Sequence, residues 1–196
     1  MTQNRRGFTL LEMLIAMTVL VILAGVTIFS TLDMLTTADA QKVINDMMQM
    51  KTATLMWYRE NSSRVVLNSS GNYEIKTNGK SQPFKEFIRD HNSEILYYMS
   101  DKNKIVLRNK ESSTNNTGDF TLIDIDYVKW YLCYNLGVAN LLEKGEEAPD
   151  AKVREKIAGQ AKKFNLLGLN DIKKTPQTKY TANDRYACML VLELKK

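Results

Sequence analysis

The first 30 residues contain the feature that most constrains the fold, an apolar segment with a single ionisable side chain. The segment runs from Phe8 to Phe29, and its one ionisable side chain is that of Glu12. A helix of these 22 residues is about 33 Å long, enough to cross a bilayer core of about 30 Å. Arg5 and Arg6 stand directly before the segment and, by the positive-inside rule, hold the N-terminus in the cytoplasm. The sequence therefore predicts one membrane span, with the rest of the chain outside.

Glu12 distinguishes this segment from an ordinary export signal or anchor. A secretory signal has a shorter apolar region of about 7–15 residues and a small-residue cleavage site, and the stretch after Ala24 offers no such site. A plain anchor explains the length but not the acid. A carboxylate at the centre of a span costs about 2.5–3.5 kcal/mol, and less near an end. A functional role for Glu12 is therefore the working hypothesis.

Residues 5–12 read Arg-Arg-Gly-Phe-Thr-Leu-Leu-Glu. This junction, with the uncharged run behind it, resembles the leader junction of type IV prepilins and pseudopilins over about residues 5–30. The resemblance implies that a dedicated membrane peptidase cuts after Gly7 and methylates the new amine of Phe8. It also implies that Glu12 attracts the N-terminal amine of a neighbouring subunit and sets the axial stagger. The implied partners are the inner membrane, the prepilin peptidase, other pilin subunits and the assembly platform.

The helical pattern continues beyond the membrane. Apolar residues recur every three or four positions, in the row Ala40, Val43, Met47, Met50, Thr54 and Trp57. An adjacent row widens this face, with Ile44, Met48, Leu55 and Tyr58. One helix is therefore expected from about residue 8 to about residue 60. Many pilins carry a proline near the position of Phe29, which lets the helix partly melt in the filament. Here only Gly25 weakens the helix, by about 1 kcal/mol relative to Ala.

The rest of the chain predicts an α+β head. The expected fold is a long N-terminal helix packed on a small antiparallel sheet, as in pilins. Its predicted organisation is a leader (1–7), a transmembrane helix (8–30), an amphipathic continuation (31–60) and a head (61–196) with an insert (137–185). Alternation and turn residues predict a hairpin from 64–67 and 73–76, and strands at 104–108, 121–125, 128–136 and 186–194. Helices are predicted at 83–91 and, after Pro149 and Asp150, up to about Gly168.

Two cysteines, Cys133 and Cys188, lie in the predicted head. In an exported domain such a pair favours a disulfide, whereas a cytosolic pair favours two buried thiols. The enclosed loop resembles the disulfide-bounded C-terminal region of many pilins. Alternation places Cys133 on the opposite face of its strand from Trp130 and Leu132, which leaves two free thiols as the alternative.

The predicted head contains few residues that could form a catalytic or metal-binding site. His91 is the one histidine and is expected at the surface, and no nucleophile, phosphate-binding or zinc motif is present in the sequence. Asp119, Asp124 and Asp126 offer oxygen ligands of the kind that calcium binds, but they are better interpreted as solvated strand carboxylates. The sequence therefore predicts no catalytic residues, no metal, no cofactor and no enzyme.

The charge and the chain organisation leave three function hypotheses. The net charge of +5 is dispersed among acidic residues, which does not indicate a nucleic-acid partner. The first hypothesis is a pilin, major or minor, and the second is a pseudopilin of a type II secretion or competence filament. The third is a single-span binding protein that never polymerises. The cysteine pair and the insert favour the first. The expected location is the inner membrane with a periplasmic head, then an extracellular pilus or a periplasmic pseudopilus.

Overall fold

The computed structural model describes residues 9–99, 105–109, 116–125, 129–137 and 151–194. Its longest element is helix α1 (Leu10–Asn61), whose 52 residues extend about 78 Å. Gly25 is the one glycine in this stretch and no proline occurs in it, so nothing in the sequence interrupts the helix. Within the described part of the chain, α1 is the one helix long and apolar enough to cross a membrane, and its most apolar 18-residue stretch is not buried.

The two halves of α1 have different surroundings. Residues 10–32, called here the bare half, are exposed except for half-buried Gly25. The second half lies on the head and buries one stripe, which comprises Ala40, Ile44, Met47, Met50, Ala53, Thr54, Trp57 and Asn61. The main predicted row is thus confirmed except at half-buried Val43. The predicted second row is wrong at Met48 and Leu55, which are 42% and 37% exposed, because the head covers the other flank of the stripe.

A small sheet and a helix follow the end of α1. Strands β1 (Val65–Leu67), β2 (Tyr73–Thr77) and β3 (Lys80–Pro83) form an antiparallel meander. Helix α2 (Phe84–Ile95) begins directly after Pro83, which confirms the predicted helix and extends it by one turn. Strand β3 was not predicted from the sequence. Its signal was the dipeptide Asn78-Gly79, whose φ angles of 50° and 77° suit the tight turn of a hairpin.

The main sheet has the strand order β4-β5-β6-β9-β7-β8. Its strands are β4 (Leu107–Asn109), β5 (Phe120–Ile125), β6 (Lys129–Asn135), β7 (Leu167–Leu169), β8 (Thr178–Lys179) and β9 (Tyr186–Glu193). All described pairings are antiparallel except β4 with β5. The predicted strands at 121–125, 128–136 and 186–194 are confirmed over their described residues. The strand predicted at 104–108 begins only at Leu107, and residues 104 and 128 lie outside the described residues. The fold is therefore α+β, with the long apolar helix packed on antiparallel sheets.

Both faces of the central strands are buried. One face of β6 and β9 joins α1 and α2 in the main core through residues such as Trp130, Leu132 and Met189. The opposite face forms a second, smaller core of Ile123, Tyr131, Cys133, Leu169, Tyr186 and Cys188. Alternation along 186–194 predicts that Cys188, Leu190, Leu192 and Leu194 share one face, and this prediction is wrong beyond Leu190. Trp130 pairs with Leu192 and Tyr131 with Leu190, so a bulge at Val191 turns Leu192 and Leu194 towards the main core.

Helix α3 (Ala151–Phe164) precedes β7 and packs against α1. Its buried residues Val153, Ile157 and Ala161 belong to the main core, as the predicted spacing requires. The helix ends four residues before the predicted Gly168, because Asn165 adopts a left-handed φ of 51° that stops it. Pro149 and Asp150, the predicted cap, lie outside the described residues.

Gly168 is expected to tolerate no side chain. A Cβ built there would lie 2.1 Å from Asp184 Oδ2. That carboxylate accepts hydrogen bonds from the Thr181 amide (2.7 Å) and hydroxyl (2.8 Å), so Asp184 can yield only by losing them. Gly168→Ala should lower the free energy of unfolding by about 1–3 kcal/mol in a urea titration.

Gly159→Ala is the matched control. Gly159 lies in α3, and a Cβ built there meets no atom within 4 Å. This substitution should raise the free energy of unfolding by up to about 1 kcal/mol, since alanine is the better helix former. Equal stabilities for the two variants would contradict the tight packing inferred at Gly168.

Candidate functional site

The described chain begins at the start of α1, where Thr9 and Glu12 form a reciprocal cap. The Glu12 amide donates to Thr9 Oγ1 over 3.2 Å. The Thr9 amide and hydroxyl both donate to Glu12 Oε2 over 2.8 Å. This is a capping box, which satisfies amides that the first turn of a helix leaves unpaired. Its signal, Thr-x-x-Glu before an apolar run, is present in the sequence, so Glu12 has a local role in the helix cap besides the predicted role in assembly.

The capping box fixes the carboxylate of Glu12 at the N-terminal end of an apolar rod. A negative charge there interacts favourably with the positive end of the helix dipole. The next charged residue along the chain is Asp33. The bare half between them exposes large apolar side chains such as Leu20, Val21 and Phe29. Since soluble proteins rarely leave a continuous surface of this kind to water, the bare half requires lipid or other helices around it.

Gly7 and Phe8, the predicted cleavage and methylation residues, lie outside the described residues. They are the two residues immediately before Thr9 in the sequence. Their assignment rests on the sequence motif, and the structure adds that the helix is capped two residues after the predicted scissile bond.

The cysteines face each other on the two central strands of the main sheet. Cys133 of β6 is paired with Cys188 of β9 and bonded to it, and both are fully buried. The face of β6 opposite Trp130 is therefore covered as well, by the second core. Free thiols, the alternative left open by the sequence, are not found at these positions.

The first of the remaining candidate residues is Asp119, one of the predicted strand carboxylates. Asp119 is buried and accepts hydrogen bonds from the Arg108 side chain and from the Asn116 amide, so its interpretation as a solvated carboxylate is wrong. Burial raises the pKa of the nearby Tyr134 hydroxyl, and the charges of Asp46 and Asp119 raise that pKa further.

Neither a metal cluster nor an exposed histidine is found in the described part of the chain. No group of three or more His, Cys, Asp or Glu side chains converges there as a metal site requires. Asp126 and the side chain of Asp124 are outside it. His91 is half-buried rather than fully at the surface, because its ring stacks on Phe87 at 4.1 Å and bonds the Phe87 carbonyl.

The comparisons with known proteins bear on the capped apolar helix. Residues 2–28 match the family model of the prokaryotic N-terminal methylation motif. The match includes Gly7, Phe8, Glu12 and most of the bare half. Searches of curated proteins and of solved structures found no match.

The methylation motif supports a type IV pilin-like or pseudopilin-like protein. Such a motif implies processing by a prepilin peptidase and assembly with other pilin subunits. Together with the apolar α1, it indicates membrane anchoring. It is also the mark of a class of structural proteins that are not typically enzymes.

Proposed function

We propose that this chain is a structural subunit, a major or minor pilin, of a type IV pilus-like filament. One observation supports this most strongly: α1 exposes an uncharged apolar surface over residues 13–32, directly behind a capped carboxylate. In the membrane that surface contacts lipid tails. In a filament the same surface contacts the α1 helices of neighbouring subunits, so one segment serves as anchor and as polymerisation element.

Processing prepares the segment for assembly. Cleavage between Gly7 and Phe8 removes the leader with Arg5 and Arg6, the charges that hold the N-terminus at the cytoplasmic face. Glycine before the scissile bond lets the peptidase approach the backbone closely, because it has no Cβ. The new N-terminus is the methylated amine of Phe8, which retains its positive charge.

Glu12 selects the position of the incoming subunit. Thr9 holds its carboxylate in one place, and an isolated charge in apolar surroundings is costly. The Phe8 ammonium of a neighbouring subunit relieves that cost for both groups. The pair therefore favours one axial stagger between adjacent α1 helices over slipped arrangements.

The head supports a pilus in preference to a pseudopilus. Its disulfide requires an oxidising compartment, which agrees with a head outside the cytoplasm. The region between the cysteines contributes α3, β7 and β8. A disulfide-bounded C-terminal region is what the sequence resemblance to pilins implies. A pseudopilin of a type II secretion or competence filament is the second candidate, because the motif at residues 2–28 is common to both classes.

Gly7→Val tests the processing step. With a β-branched residue before the scissile bond, the chain should keep residues 1–7 and remain in the membrane fraction. Gly25→Val is the control, because Gly25 lies inside the span with open space around it and is expected to leave cleavage intact. Intact-mass measurement of both variants, coexpressed with a prepilin peptidase, distinguishes the forms. Processing of Gly7→Val at the wild-type rate would contradict the assigned cleavage site.

A further inference from the structure

Helix α3 lies at the level where the proposed span ends. Lys156 Nζ is 2.9 Å from Asp33 Oδ1, and Asp33 is the first charged residue after Glu12. With residues 8–30 in the bilayer, Asp33 lies about 4.5 Å beyond the end of the span. The headgroup layer is about 5–7 Å thick on each side of a membrane. Lys156 therefore reaches the height of the lipid headgroups.

Helix α3 carries most of the net positive charge of the chain. Its 14 residues hold five basic side chains and one acidic side chain, a net charge of +4, while the complete chain carries +5. The basic residues are Lys152, Arg154, Lys156, Lys162 and Lys163, and the acid is Glu155. Among the described elements of the head, the most basic one is thus the helix beside the membrane.

Three of these lysines form one stripe. Lys152, Lys156 and Lys163 recur at helical spacing, with Gly159 between the last two, so the four positions lie on one side of α3. Lys152 and Lys163 are exposed, and the Lys156 side chain is 38% exposed. The stripe borders the buried residues Val153 and Ile157, and its middle lysine, Lys156, contacts Asp33 at the membrane end of the packed part of α1. We call it the lysine face.

We propose that the lysine face docks on anionic phospholipid headgroups beside the span and holds the head against the membrane before the subunit enters a filament. Lysines near an anionic surface each multiply a binding equilibrium by about five. The occupant is a lipid surface because the span already holds this face within reach of one. The inference rests on the proposed membrane span and adds a second, electrostatic contact to it.

A nitroxide at position 159 tests the proposal in the full chain. Cys133 and Cys188 are bonded to each other, so Gly159→Cys supplies one reactive thiol, at a site where a Cβ meets open space. The labelled chain is reconstituted in phosphatidylcholine and in equal parts of phosphatidylcholine and phosphatidylglycerol. Collisions of the nitroxide with a water-soluble nickel chelate should decrease in the mixed bilayer and recover in high salt.

Two double variants determine whether lysines cause the effect. Lys156→Gln with Lys163→Gln should lower the docked-to-free ratio roughly 25-fold and restore nickel access. The control is Lys80→Gln with Lys129→Gln, which also removes one exposed lysine and one lysine in an exposed ion pair, here with Glu193. Lys129 lies near the far end of α1, since neighbouring Trp130 contacts Phe84 and Phe84 contacts Tyr58. The control should dock like the wild type.

Equal nickel access in both bilayers would overturn the proposal. So would a decrease that follows the protein-to-lipid ratio in pure phosphatidylcholine, because the lysine face would then contact another copy of the chain. A nitroxide at Val21, which the bare half exposes, reports the span separately. If the nickel chelate reaches that probe, the proposed membrane span is contradicted, and the proposed docking is contradicted with it. If it is shielded, the result at position 159 concerns the lysine face alone.

Discussion

Glu12→Gln is expected to leave the chain cleaved and membrane-bound but to lower its incorporation into filaments about 100-fold or more. The substitution removes the charge and keeps a side-chain oxygen that can accept from Thr9. In the proposed assembly, the Phe8 ammonium of the neighbour would then be buried without its partner. Breaking a buried ion pair in this way costs about 3–5 kcal/mol. The measurement is the ratio of the chain in the sheared filament fraction to the chain in the membrane fraction.

Thr9→Ala separates the two roles of Glu12. This variant loses the hydroxyl of the capping box but keeps the carboxylate, at a cost of about 0.5–2 kcal/mol to the start of the helix. If the charge of Glu12 governs assembly, Thr9→Ala should still be incorporated. Normal incorporation of Glu12→Gln together with loss in Thr9→Ala would show that the cap matters and that the stagger model is wrong.

Removal of the disulfide has the largest expected effect on stability. Replacing both Cys133 and Cys188 by alanine opens a loop whose ends are 55 residues apart, which lowers the free energy of unfolding by about 4 kcal/mol in the chain-entropy model. Urea unfolding in detergent can be followed by the fluorescence of Trp57 and Trp130, because both lie in the main core of the head.

A reductant supplies the internal control for this prediction. Unfolding in its presence should lower the urea midpoint of the wild type towards that of the double variant, whose own midpoint should not move. The bond is fully buried, so the native head should resist reduction until it unfolds. If the double variant unfolds at the same urea midpoint as the wild type without reductant, a stabilising role for the bond is contradicted.

The long helix and its two kinds of surroundings could be predicted from the sequence for clear physical reasons. A long apolar run with a single acidic residue is stable only among lipids or other helices. The spacing of the apolar residues from Ala40 to Trp57 fits one buried stripe along a helix. The sequence could not predict how much of the surface of α1 the head covers. Met48 and Leu55 are as apolar as Met47 and Met50, and only the position of the head determines which of them are buried.

The main sheet was predicted in part. Strands β5 and β6 have enough β-branched and aromatic residues to be recognised, and β9 is recognised as an apolar run. Strands β7 and β8 are too short to show a period, and β7 depends on pairing with β9. Apolar residues cover both faces of the central strands, so alternation does not identify the core side. The bulge at Val191 reverses the pattern within one strand.

At the candidate site, the sequence pointed to Glu12 but not to its immediate partner. The Thr-x-x-Glu spacing is compatible with a capping box, but only the geometry of the first turn establishes the hydrogen bonds between Thr9 and Glu12. The lysines of α3 read as dispersed surface charge along the chain. Their relation to the membrane depends on the contact between Lys156 and Asp33, which are more than a hundred positions apart in the sequence.

The central claim is that the chain is processed at Gly7 and polymerises through α1. Mass spectrometry of the N-terminal peptide, taken from sheared filaments of cells that produce the chain, tests it most directly. The account predicts a peptide that begins at N-methylated Phe8. A chain that retains residues 1–7, or that is missing from filaments while abundant in the membrane, would contradict it.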